Sequence, residues 1–186
     1  MTICMGLDIS TNIIGVSVFD NLKCVYLNYI DLRKIDSLFK KADFVRSQMK
    51  EIKDKNFNIK CISIEESAQS FRKGFSSAQV LSILSRFNGV VSQISYEEFN
   101  VEPIYYNVSS ARKSLGIKID KSSEIDTKEQ ILNWVKSNES EIEWPVKNIV
   151  RGKNKGDVKF EPACYDMADA YVIGKAAVIN EYKNDK

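Results

Sequence analysis

Five carboxylates stand at three places where chemistry could be built. Asp8 closes an apolar run in GLDIST, Glu65 and Glu66 close another in ISIEE, and Asp166 and Asp169 open the last helical segment in YDMADAYVIGKA. The chain contains no histidine, so a Ser/His/Asp triad or a Cys/His dyad cannot be assembled within it. Acid–base or metal chemistry must rest on Asp, Glu, Lys, Tyr or Cys. Each acid alone has an ordinary explanation: one at a helix start complements the helix dipole, and one at a strand end can be a solvated turn residue. Three such places in one chain argue for more.

Strand parity sharpens the argument, because alternate residues face opposite sides of a sheet. Cys4, Gly6 and Asp8 share one face, and Ile3, Met5 and Leu7 the other. In the second run Cys61, Ser63 and Glu65 share a face, while Ile62, Ile64 and Glu66 share the opposite one. Each strand thus has a face of small residues that ends in a carboxylate and would let a helix approach closely. If the two strands are parallel neighbours, Asp8 and Glu65 lie side by side at the C-terminal edge, where open α/β sheets place their sites. Parity favours Glu65 over Glu66 as the inward carboxylate. A spacing of three puts Asp166 and Asp169 on one helix face, beside the small residues Ala163, Ala168, Ala170, Gly174 and Ala177. Four converging carboxylates repel one another without a cation. An all-oxygen cluster suits Mg²⁺ or Mn²⁺, and two such ions about 4 Å apart can activate water and stabilise the leaving oxygen of a phosphodiester.

The elements that must position these acids are legible from periodicity. Residues 2–8, 13–19 and 24–30 read as strands joined by short turns, an antiparallel meander. Leu38, Phe39, Ala42, Val45, Met49 and Ile52 recur at helical spacing. Residues 59–65 form another strand, and a polar stretch from Ser67 to Ser77 leads into a long helix ending near Phe99. A short strand in VEPIYY follows, then helices near 108–115 and 125–138, a basic and irregular stretch at 145–160, and a final helix over about 163–183.

Composition bounds the rest. A chain of 186 residues fits one α/β domain, read here as residues 1–186. The net charge of +2 announces no nucleic-acid partner, so any such partner must be met by a local patch. Cys4, Cys24, Cys61 and Cys164 form no CxxC pair, which argues against zinc and fits reduced thiols in the cytoplasm. No apolar run reaches the roughly 18 residues of a membrane span, and the first residues lack the pattern of a signal peptide.

Taken together, GLDIST…GVSVFD, ISIEE and DMADA resemble the acidic motifs of RuvC-type Holliday-junction resolvases, in the ribonuclease-H-like superfamily. The likeness runs from Met5 to about Lys175. It implies an α/β, ribonuclease-H-like fold: a mixed five-stranded sheet, three antiparallel strands then two parallel, with helices on both faces. It implies catalytic and metal-ligating roles for Asp8, Glu65, Asp166 and Asp169, with two Mg²⁺ ions for which Mn²⁺ can substitute. The ARKSLGIK segment, with Arg112 and Lys113, and Lys128 in TKEQI resemble family stretches that present basic residues to the junction. A GxDxSTxxxG opening also occurs in actin-like sugar kinases, but those need two such domains and this chain is too short. The segment after Glu65 is longer than in bacterial members, and 145–160 reads as a basic insertion. These departures, with the abundance of Lys, Asn and Ile, point to a phage or viral version working in the host cytoplasm.

Three further features follow. On the long helix Val80, Leu84, Phe87, Val91 and Ile94 form one stripe, and Ile83 and Val90 widen it toward a second face. The resemblance implies a homodimer, and a near-twofold junction calls for two matched sites. Phe71 and Phe75 lie in the basic segment SFRKGFSS, with Arg72 and Lys73, and either anchor a loop or stack on bases at the junction centre. Arg151, Lys153 and Lys155 in the insertion suit phosphate contacts. The expected activity is Mg²⁺-dependent endonucleolytic resolution of four-way DNA junctions by paired symmetric cuts, as used in DNA recombination and repair. The alternatives are a related nuclease acting on RNA or other branched DNA, and a non-catalytic nucleic-acid-binding module.

Overall fold

A computed structural model describes residues 2–66, 78–152 and 155–184, with side chains described to residue 181. Strands β1 (Ile3–Ile9), β2 (Ile13–Asp20) and β3 (Lys23–Asp31) form the antiparallel meander. The first turn is tied by Ser10, whose hydroxyl donates to the Ile13 carbonyl and accepts from the Ile13 N–H. The second uses Asn21 at a φ of 53°, a conformation that asparagine tolerates better than most residues. After helix α1 (Leu38–Lys53), strand β4 (Ile59–Glu65) pairs parallel with β1. Helix α2 (Ala78–Phe99) then returns the chain to β5 (Pro103–Tyr106), parallel to β4. The sheet order is β3-β2-β1-β4-β5. Helices α3 (Val108–Ser114), α4 (Thr127–Asn138) and α5 (Ala163–Asn184) complete the fold, which is the mixed five-stranded α/β architecture that the motifs imply.

Strand alternation divides the core in two. Met5, Leu7 and Ile9 of β1, with Ile14, Val16 and Val18 of β2 and Ile62 and Ile64 of β4, pack against α1 and α2. Their partners are Val45, Met49 and Ile52 on one helix and Phe87, Val91 and Ile94 on the other. The opposite face presents Cys4, Phe19 and Cys61 to α5, with α3 and α4 alongside. The helical stripes are not buried along their whole length: Phe39 is 85% exposed and Val80 52%.

Helix α5 lies closer to the sheet than side chains would normally allow. A Cβ on Gly6 would stand 2.5 Å from the Ala170 carbonyl oxygen, and one on Gly15 only 1.9 Å from that of Asp166. A Cβ on Gly174, in the helix itself, would meet the Ser17 hydroxyl at 2.5 Å. The small residues that remain serve as donors, with Ser17 bonding to the Ala170 carbonyl at 2.8 Å and Ser63 to that of Ile173 at 3.4 Å.

The stretch 145–160 is not irregular throughout. Strands β6 (Val146–Asn148) and β7 (Val158–Phe160) form a two-stranded antiparallel sheet. Beyond the strands, Ile149 N–H bonds to the Asp157 carbonyl and Gly156 N–H to that of Ile149. Gly152 and Gly156 take φ values of 86° and 100°. Valines alternating with lysines in VKN and VKF carry the strand signal, which the density of charge and glycine obscures. Among the described residues no helix is long and apolar enough to cross a membrane, and all four cysteines are free.

The glycine contacts generate a paired expectation. Gly15→Ala should destabilise the fold by roughly 1–3 kcal/mol, since backbone must shift to admit the methyl group. Gly89→Ala, on α2 with open space around it, should stabilise by up to about 1 kcal/mol through helix propensity. Urea unfolding midpoints check both, and equal effects at the two positions would refute the close-packing account.

Candidate active site

The registers Gly6↔Ser63 and Leu7↔Ile64 bring the C-terminal ends of β1 and β4 together, and Asp8 and Glu65 face the same cleft there. The first turn of α5, held down over Gly15, adds Asp166, and Asp169 follows one turn later. These four carboxylates share the wall of one cleft of about 330 Å³ with Ser10, Asn88, Arg112 and Lys128. Glu66 also borders the cleft. Parity decides which carboxylate pairs with Asp8, but β4 ends at Glu65, so alternation no longer turns the next side chain away.

Crowding leaves its mark on proton affinities. Burial pushes the Asp8 carboxyl well above its ordinary range, and the negative charges of Glu65 and Asp169 push it further. Burial also raises Glu65, against the Asp8 hydrogen bond and the nearby Arg112 and Lys128. Asp166 is pushed up to about 6, burial again outweighing Lys128. Burial raises Asp169 as well, while Arg112 opposes it by charge and by a hydrogen bond. That bond runs from Arg112 Nη2 to Asp169 Oδ1 at 3.2 Å, an ion pair largely withdrawn from solvent. Burial and mutual repulsion thus favour protonation at Asp8 and Glu65, while Asp169 leans on a guanidinium.

Among the described residues, no group of three or more His, Cys, Asp or Glu side chains is arranged as a ready metal-ligand set. The donor chemistry nevertheless fits a hard cation, because the clustered acids are all carboxylate oxygens. Arg112 already brings positive charge to the cluster through its ion pair with Asp169.

The remaining basic residues fall into separate places. Lys128, in the first turn of α4, sits on the cleft wall. Lys113 lines a neighbouring groove with Lys118 and Lys121. Arg151 and Lys155 are exposed in the segment between β6 and β7. Phe71, Arg72, Lys73, Phe75 and Lys153 lie outside the described residues. Two polar cleft residues were not picked out from sequence, Ser10 and Asn88. Asn88 donates to the Glu65 carbonyl oxygen at 3.3 Å and so ties α2 to the end of β4. Its one signal in the sequence is an amide next to Phe87 of the apolar stripe.

No family model and no curated relative matches the chain by sequence. Solved structures do match it. RuvC of T. thermophilus in complex with a Holliday junction substrate superposes with a TM-score of 0.65 at 15% identity, covering 98% of this chain and 96% of that one. A further Thermus thermophilus RuvC structure gives 0.62 at 14% identity, with 98% and 97% covered. The fold is that of RuvC. The yeast mitochondrial Holliday junction resolvase is also similar, with a TM-score of 0.51 at 11% identity, covering 99% of this chain and 84% of that one. Within the RuvC fold, the acid cleft lies at the C-terminal ends of the two adjacent parallel strands β1 and β4.

The raised carboxyl groups fix the sign of a pH effect. An acid whose folded pKa is raised binds its proton more tightly in the native state. Its stabilising contribution is complete below the ordinary value of 3.8 and is lost as pH rises through the folded value, about 6 for Asp166. Metal-free protein should therefore unfold at higher urea at about pH 5 than at about pH 7.5, and Asp166→Asn should show a smaller difference. A wild-type midpoint that falls on acidification over this range would contradict the burial described here.

Proposed function

We propose that this chain is a metal-dependent, structure-selective endonuclease that resolves four-way DNA junctions by paired, symmetric phosphodiester hydrolysis. One observation carries the reading: carboxylates from β1, β4 and α5 meet in a single cleft whose wall also carries Arg112 and Lys128. Asp8, Glu65, Asp166 and Asp169 would hold the cation, Mg²⁺ as two ions or Mn²⁺ in its place. When bound, it would supply Lewis-acid stabilisation of the charge that develops on the phosphodiester. Asp8, the acid flanked by both Glu65 and Asp169, anchors the cluster. Asn88 holds the end of β4 so that Glu65 stays beside Asp8. Lys128 would present positive charge where a DNA phosphate enters, and Lys113, Arg151 and Lys155, at separate places on the surface, would add sequence-independent backbone contacts. The free thiols suit a cytoplasmic setting, which for a phage or viral version is that of the host.

The decisive assay presents four-way, Y-shaped and linear DNA and an RNA–DNA hybrid to the protein with Mg²⁺. Preferential paired cutting of the four-way junction is expected. Asp8→Asn should bind that junction at least as tightly as wild type yet cut it at least about a thousandfold more slowly, an effect typical of losing a central charge from a metal site. In that background, Arg151→Gln with Lys155→Gln should weaken binding and flatten its salt dependence. Preference for the hybrid would redirect the reading to RNA. Wild-type cutting rates in both Asp8→Asn and Asp169→Asn would replace the nuclease by a binding module.

A homodimer through α2 completes the proposal, because a junction with twofold symmetry needs two sites. Val90 is 43% exposed beside Gly89 and Ile94, in a groove between α1 and α2. Sedimentation at micromolar concentration should give twice the chain mass, and Val90→Asp should give the single mass with its helical content kept. A wild-type monomer that still makes paired symmetric cuts would rule the dimer out.

A further inference from the structure

Arg112 lies on α3, and its side chain is 22% exposed. It neutralises Asp169 through one contact of 3.2 Å, while its Nε is buried without a hydrogen-bond partner. A buried N–H left unpaired is costly, so this is not the best arrangement a guanidinium could adopt. Arg112 also borders two cavities. One is the acid cleft, and the other is a basic groove of about 570 Å³ that holds Lys113, Lys118 and Lys121. It occupies a carboxylate that a cation would need, and it stands next to a surface whose charge suits DNA phosphate.

We propose that Arg112 is a displaceable counter-ion that couples cation binding to DNA binding. Without a divalent cation, Arg112 neutralises Asp169 and keeps the buried acid cluster tolerable. A cation entering the cleft takes over that role, and the freed guanidinium turns to a DNA phosphate at the adjoining groove. A planar fork of N–H donors serves carboxylate and phosphate equally well, so the exchange needs no change of partner chemistry. Because coupling of this kind is reciprocal, DNA that engages Arg112 must in turn ease cation entry. The inference rests on the metal-nuclease reading, but its test does not depend on cleavage.

The experiment is calorimetric titration of the full chain, free of DNA, with Mn²⁺. Arg112→Gln should bind Mn²⁺ about tenfold more tightly than wild type, within the usual range of coupling between sites. Lys128→Gln removes the same charge from the same cleft without vacating Asp169, and should gain less. A second measurement compares four-way junction affinity in EDTA and in Ca²⁺. Wild type should tighten when Ca²⁺ is present, and in Arg112→Gln that tightening should shrink. A purely structural role for Arg112 would move neither the Mn²⁺ affinity upward nor the Ca²⁺ effect downward. If Arg112→Gln does not fold, Arg112→Met keeps the apolar stem and carries the same expectations. Equal Mn²⁺ affinity in wild type and variant, or an equal gain in Lys128→Gln, overturns the coupling and leaves the nuclease reading standing. Failure of all the proteins to bind Mn²⁺ overturns both.

Discussion

The backbone-to-backbone seating of α5 on the sheet is the contact on which the rest of the molecule depends. Gly6 and Gly15 leave no Cβ in its path, and Gly174 removes one from the helix side. Ser17 and Ser63 fill the remaining gap with hydroxyls that donate to helix carbonyls. The gain is positional more than energetic. With α5 pressed onto β1 and β2, the acids of its first two turns reach the cleft edge that Asp8 and Glu65 already occupy. Any side chain that held α5 off the sheet would carry Asp166 and Asp169 away with it.

That packing creates an electrostatic problem. Four carboxylates brought out of water and close together favour protonation, and burial is the first cause of the shift at each of them. The chain meets the problem with cationic side chains from two other elements, Arg112 on α3 and Lys128 on α4. Neither helix carries an acid of the cluster. Their part at the cleft is to bring charge of the opposite sign to it.

The two faces of the sheet are built by different rules. Against α1 and α2 lies a broad aliphatic layer that tolerates exchange among residues of similar volume. Against α5 the strands present glycine, serine and cysteine, with Phe19 set against Tyr171 of the helix, and the volume at the glycines is tightly limited. The RuvC fold is kept here at 15% identity over 98% of the chain. A sheet of this kind requires a pattern of large and small faces, and many sequences satisfy such a pattern.

Much of this was legible from residue order alone. The order of strands and helices followed from periodicity, and the division of β1 and β4 into large and small faces followed from alternation. That same parity favoured Glu65 over Glu66 as the inward carboxylate, because alternation is covalent geometry and needs no knowledge of distant contacts, yet both glutamates border the cleft. It stopped being informative at Glu66, one residue past the strand. The pairing of β6 with β7 was missed because two strands of three residues barely rise above the charge and glycine around them. What only the tertiary structure decided is how the cleft is compensated. Arg112 and Asp169 are 57 residues apart in sequence, and Asn88 meets the Glu65 carbonyl across 23. Those meetings are set by how α2, α3 and α5 pack around one sheet edge, and no local spacing encodes the packing of separate helices.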